Sequence, residues 1–189
     1  MPATPSTPFL PSYSFYECHT SGAIAAPPER IVDAVTQIDM RTDPVVDRLL
    51  RIREWPAGVF RKLGVARAAS AAQPPFGIDT FTLLNKDRNA VSLGLVGRFW
   101  QFDFGLVTIA DAEAFMSVNR PDVAKLVLRF EAQPCSADRY SLRTETFVYC
   151  PTWRTRVAMT PYWLAIRLAS GWIRRRTLAR VEQHFALER

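Results

Sequence analysis

The chain has 189 residues, 48% hydrophobic and 22% charged, which excludes disordered, fibrous and disulfide-framed proteins and fits one domain with a sizeable core. Cys18, Cys135, Cys150, His19 and His184 lack metal-ligand spacing, so no metal or cofactor is expected, and the cysteines read as small apolar groups beside strands. The net charge of +6 is placed unevenly: residues 1–150 carry 16 basic and 16 acidic side chains, whereas 151–189 carry eight arginines against Glu182 and Glu188. No run approaches the roughly 18 apolar residues of a membrane span, and the N-terminus lacks the order of a signal peptide, which points to a cytoplasmic protein.

Residues 1–12 place prolines at positions 2, 5, 8 and 11 among Ser, Thr and Ala, the spacing of an extended tail that does not pack. The remainder, 13–189, reads as one domain. Ser14 to Ile24 alternates as a strand, with Tyr16, Cys18, Thr20 and Ile24 on one face and Glu17 and His19 on the other, outer face. Pro27 and Pro28 open a helix whose apolar side is Ile31, Val32 and Val35. A second helix is expected from Asp43 and Pro44 to Trp55, followed by a loop over 66–75.

From there the period changes from helical to alternating. Strands are expected at Ile78 to Asn85, Ala90 to Trp100, Phe102 to Ile109, Val123 to Ala132 and Tyr140 to Cys150, with a short helix at Asp111 to Val118. Ala124, Leu126, Leu128 and Phe130 alternate with Lys125, Arg129 and Glu131, and Leu142, Thr144, Thr146 and Val148 with Arg143 and Glu145, the pattern of a sheet packed on one face. The last 38 residues return to a helical period behind Thr152 as N-cap. One row runs Met159, Trp163, Ile166, Ser170, Ile173; a second row, Leu164, Leu168 and Trp172, makes the first half apolar on two sides and reads as structural packing or, alternatively, as a dimer contact or a membrane-touching patch. The fold class is α+β: a curved antiparallel sheet of about six to seven strands wrapped around a long C-terminal helix, a helix-grip, with two short helices after the first strand.

The opening FYECHTSGAIAAPPERIVDAV, the phrase GLVGRFW from Gly94 to Trp100, the TET of Thr144 to Thr146 and the terminal YWLAIRLASGWIRR from Tyr162 to Arg175 resemble an uncharacterised branch of the START-related (SRPBCC) superfamily. That superfamily includes polyketide cyclases, aromatases and lipid-transfer domains. The resemblance covers about residues 13–185 and implies a cavity between sheet and last helix; it brings no catalytic set with it.

The leading expectation is therefore a carrier or sensor for a lipid-like or polyketide-like molecule. Its lining would be Leu93, Leu95, Arg98, Phe99, Leu126, Leu128, Phe130, Thr144, Thr146, Trp163 and Ile166. An alternative of a different class is a cyclase or hydratase in which Arg98 steadies an enolate and Glu145 moves protons. Strand parity turns Glu145 outward, toward Arg143 and Arg129, unless a bulge reverses it, and Arg98 could equally pair with an acid at the rim. A third reading docks the chain on anionic membranes through Arg174, Arg175, Arg176 and Arg180. Aromatics at core positions, far from the arginines, argue against nucleic acid, and monomer and homodimer both stay open.

Overall fold

The computed structural model describes residues 5–37, 80–101, 104–136, 138–164 and 167. The expected helix at 43–55, the loop at 66–75, Ile166, His184 and the arginines at 174–180 lie outside them. The chain is α+β. In order it forms β1 (Phe15–Ile24), α1 (Pro28–Gln37), β2 (Thr82–Lys86), β3 (Ala90–Gly97), α2 (Ala112–Ser117), β4 (Ala124–Ser136) and β5 (Arg139–Tyr149). A last helix, α3, covers 153–164 and residue 167. Among the described residues the sheet has five strands in the order β1-β5-β4-β3-β2, every neighbouring pair antiparallel.

Alternation divides the sheet into two faces. On one, Val91 and Leu93 of β3, Phe130 and Ala132 of β4 and Leu142 of β5 pack with Ile31, Val32 and Val35 of α1. At the other end of that face Leu95, Ala124 and Val148 pack with Met159 and Trp163 of α3, and Phe15 lies 5.5 Å from the Trp163 ring. The opposite face holds Val96, Val127 and Phe147 under Phe115, the fully buried residue of α2. Both faces are covered, which is why even alternating strands such as β3 are buried throughout.

Local chemistry sets the helix starts. Pro28 begins α1, where its missing donor costs nothing, and Ile31 N–H donates to the Pro27 carbonyl. The Asp111 carboxylate accepts from Ala114 N–H at 2.8 Å and caps α2. Thr152 Oγ1 accepts from Thr155 N–H at 3.2 Å and caps α3. Thr155 Oγ1 donates to the Pro121 carbonyl at 2.6 Å, which ties the start of α3 to the loop before β4.

Three expectations need correction. Of the strand expected from Phe102 to Ile109, the described residues 104–109 do not form one: the Phe104 carbonyl accepts from Arg98 N–H, Phe104 and Gly105 take positive φ, and a single bridge joins Val107 to Val96. The alternation of that segment records a folded-back loop with apolar contacts, and Gly97 makes room for it, since a Cβ there would stand 2.7 Å from the Phe104 oxygen. The proline-spaced segment is not free along its length, because Leu10 is buried and Phe9 packs beside it against the α2 face. The third correction concerns β1. A bulge between Thr20 and Ala23 adds one residue, so Ile24 and the residues before Thr20 follow opposite parity.

Candidate functional site

The bulge decides which polar groups of β1 face the helices. Glu17 pairs with Thr146 and His19 with Thr144, so both point to the face covered by α1 and α3 rather than outward. Parity counted back from Ile24 gives the wrong side, because the count crosses the extra residue. Continuing across the sheet, Thr146 pairs with Leu128 and Leu128 with Leu93, while Thr144 pairs with Phe130 and Phe130 with Val91. Two rows therefore cross this face, each apolar on β3 and β4 and polar on β5 and β1. At about 4.8 Å between strands, a four-strand row spans about 14 Å.

The polar end is well buried. Glu17 is 8% exposed, and its Oε1 lies 3.0 Å from His19 Nε2; Thr144 is 1% exposed. Thr144 Oγ1 has no hydrogen-bond partner among the described residues, and its neighbour across β4 is Phe130. A buried hydroxyl without a partner forgoes its hydration for nothing, so such a group calls for an explanation. The apolar ends of both rows belong to the α1 cluster, where Leu128 is only partly buried.

The other expected lining residues separate. Leu93 and Phe130 belong to the α1 cluster, whereas Leu95, Phe99 and Trp163 are packed together under α3, with Leu126 partly buried beside them. Arg98 leaves this face altogether. Its guanidinium pairs with the Asp122 carboxylate, which Arg120 also holds at 2.8 Å. Arg120 first, then Arg98, keep the Asp122 carboxyl well below the usual carboxylate range. Arg98 and Asp122 help line an open cleft of about 640 Å³ with Trp100, Thr152, Trp153 and Arg154.

Glu145 lies on the opposite face, opposite Cys18 and Arg129 in the register and with no shift near it. Its Oε1 accepts from the Tyr16 hydroxyl at 2.7 Å and from Arg143 Nη2 at 2.8 Å, and Arg129 stands 3.9 Å from Oε2. Although it turns away from Thr144 and Thr146, it is buried, at 4% exposure. Burial, and then the Glu145 carboxylate, hold the Tyr16 phenol above its ordinary range, so this group is a locked donor and not a proton carrier. Arg98 and Glu145, the pair required by the cyclase reading, do not share a site.

Glu17 and His19 were missed as inward residues. One signal was available: the Ser21-Gly22 pair inside a strand pattern, since an isolated glycine there marks a bulge. The chain matches no family model, no curated protein and no solved structure.

Proposed function

We propose that the protein holds a hydrophobic small molecule with one polar end, on a helix-grip scaffold of the START-related kind, against the sheet face that α1 and α3 cover. The observation that carries this reading is the buried Thr144 hydroxyl, without a hydrogen-bond partner among the described residues, beside the Glu17–His19 pair at the end of two apolar rows. An apolar body would lie along Leu93, Leu128 and Phe130, with its polar group at Thr144. Covering about 300 Å² of apolar ligand surface contributes about 7 kcal/mol before association costs, whereas one hydrogen bond contributes about 1 kcal/mol. Shape therefore sets affinity, and Thr144 sets which end goes in.

Native mass spectrometry and solvent extraction of the purified protein, with displacement of an apolar fluorescent probe, test carriage. Bound lipid-like material or saturable probe binding is expected. A protein that is always empty and binds no apolar probe overturns the reading. Thr144→Val tests the orientation. It removes an unsatisfied hydroxyl while keeping the shape, so it raises the stability of the empty protein by up to about 1 kcal/mol and weakens binding of a hydroxyl-bearing ligand several-fold. A Thr144→Val protein that binds such ligands as well as the parent removes Thr144 from the site.

The 3.0 Å contact between Glu17 and His19 supports a second reading, in which the carboxylate orients the imidazole to move a proton on a ligand bound at the same place. Turnover of a bound compound that His19→Asn abolishes without loss of binding would favour this reading over carriage.

A further inference from the structure

The side of α3 that faces away from the sheet carries apolar groups that lie outside the core clusters of the described residues. Trp153, Val157 and Leu164 are 71%, 62% and 57% exposed. At about 3.6 residues per turn the three fall within about 40° of one another around the helix axis. Arg154 flanks this stripe on one side and Arg156 and Arg167 on the other, and all three are exposed. Helix orientation is fixed from beneath, since Thr155, Met159 and Trp163 are buried on the opposite side at 4%, 1% and 6% exposure. The stripe cannot turn inward without unseating that core.

We propose that this stripe docks the protein on an anionic lipid surface. The reading is independent of what the sheet face binds. Three features select a membrane over a second copy. The stripe is narrow and bordered by cations on both sides, the arrangement of a helix lying in the headgroup plane. Tryptophan favours that plane because its ring is apolar and its N–H polar, and arginine stems can lie along the apolar boundary while their guanidiniums reach phosphate. The described residues of α3 hold Arg154, Arg156 and Arg167 and no acid, so two copies meeting here would bring like charges together.

Co-sedimentation of the full chain tests this with phosphatidylcholine vesicles containing about 30 mol% phosphatidylserine, against phosphatidylcholine alone. Three arginines near the surface predict about a hundredfold preference for the anionic vesicles at low salt. Raising salt from about 0.1 M to about 0.5 M should cut binding at least tenfold. Trp153→Ser and, separately, the double change Arg154→Gln with Arg167→Gln should each weaken binding with an unchanged thermal midpoint, because these side chains are exposed, whereas Arg156 stacks over the Phe15 ring. If Trp153→Ser does not fold, Val157→Ser takes its place. Equal partitioning into both vesicle types, indifference to salt, or unchanged binding by a folded stripe variant overturns the proposal. A dimer that Trp153→Ser dissociates, with no vesicle binding, assigns the stripe to a second copy instead.

Discussion

Two glycines of β3 lie under different kinds of neighbour, and the difference is measurable. A Cβ on Gly94 would stand 2.8 Å from Leu84 Cδ2, a side chain; one on Gly97 would stand 2.7 Å from the Phe104 carbonyl oxygen, which is backbone. Gly94→Ala should destabilise by about 1–3 kcal/mol through overpacking. Leu84→Ala should relieve part of that cost, so the double mutant loses less than the sum of the two single changes in urea unfolding. Gly97→Ala has no such rescue at Leu106, whose Cδ2 would be only the second-nearest atom, at 3.2 Å. Crowding around GLVGRFW was legible in the sequence, because glycine inside a strand pattern signals close approach. Which atom approaches was not, since it depends on a loop folding back from residues 104–105.

At the scale of elements, α3 depends on its first turn. Thr152 Oγ1 accepts from Thr155 N–H and donates to the Pro121 carbonyl at 3.4 Å, so Thr152→Ala removes a cap and the longer of two hydroxyl contacts with the loop at Pro121. A loss of about 1 kcal/mol is expected in chemical denaturation. No loss would mean that Thr155 holds the helix start unaided. This cap, the strands β4 and β5 and the start of α1 could be read from residue type and period, because each is decided within a few neighbours. The strand expected at 102–109 could not, since an apolar alternation is equally compatible with a loop whose side chains plug a neighbouring cluster. Pairing of β1 with β5 joins residues more than a hundred positions apart, and no local signal reports it.

At the scale of the molecule, the described residues cover one sheet face with α1 and α3 and the other with α2, the segment around Leu10 and an ionic group centred on Glu145. The packed ends carry consequences for stability at high pH. Burial pushes the Cys150 thiol up to about 11 in the α3 cluster. A group raised in the folded state contributes stability in full below its unfolded pKa and loses it as pH rises through the folded value. For Cys150 that window runs from about 9, the ordinary thiol range, to about 11. Lys125 acts in the opposite sense. Burial lowers its pKa while Nζ donates to the Met116 and Val118 carbonyls, so its contribution grows as pH rises. Denaturation midpoints at about pH 8.5 and about pH 10.5 should therefore fall less for Cys150→Ala than for the parent, by an amount on the order of 1 kcal/mol. Identical falls would show that the thiol does not contribute.

The surplus residue between Thr20 and Ala23 acts as an odd–even counter for the first strand. With it, a carboxylate and an imidazole look into the space beneath the helices, while Tyr16 and Cys18 look toward Glu145. Were the bulge straightened at the same chain length while Ile24 keeps its seat, the pairing would slip by one and the four would exchange places: the interior would gain a phenol and a thiol, and His19 would stand opposite Glu145. The chemical identity of the interior thus hangs on one local distortion of the backbone, and removing the surplus residue outright would leave it as it is.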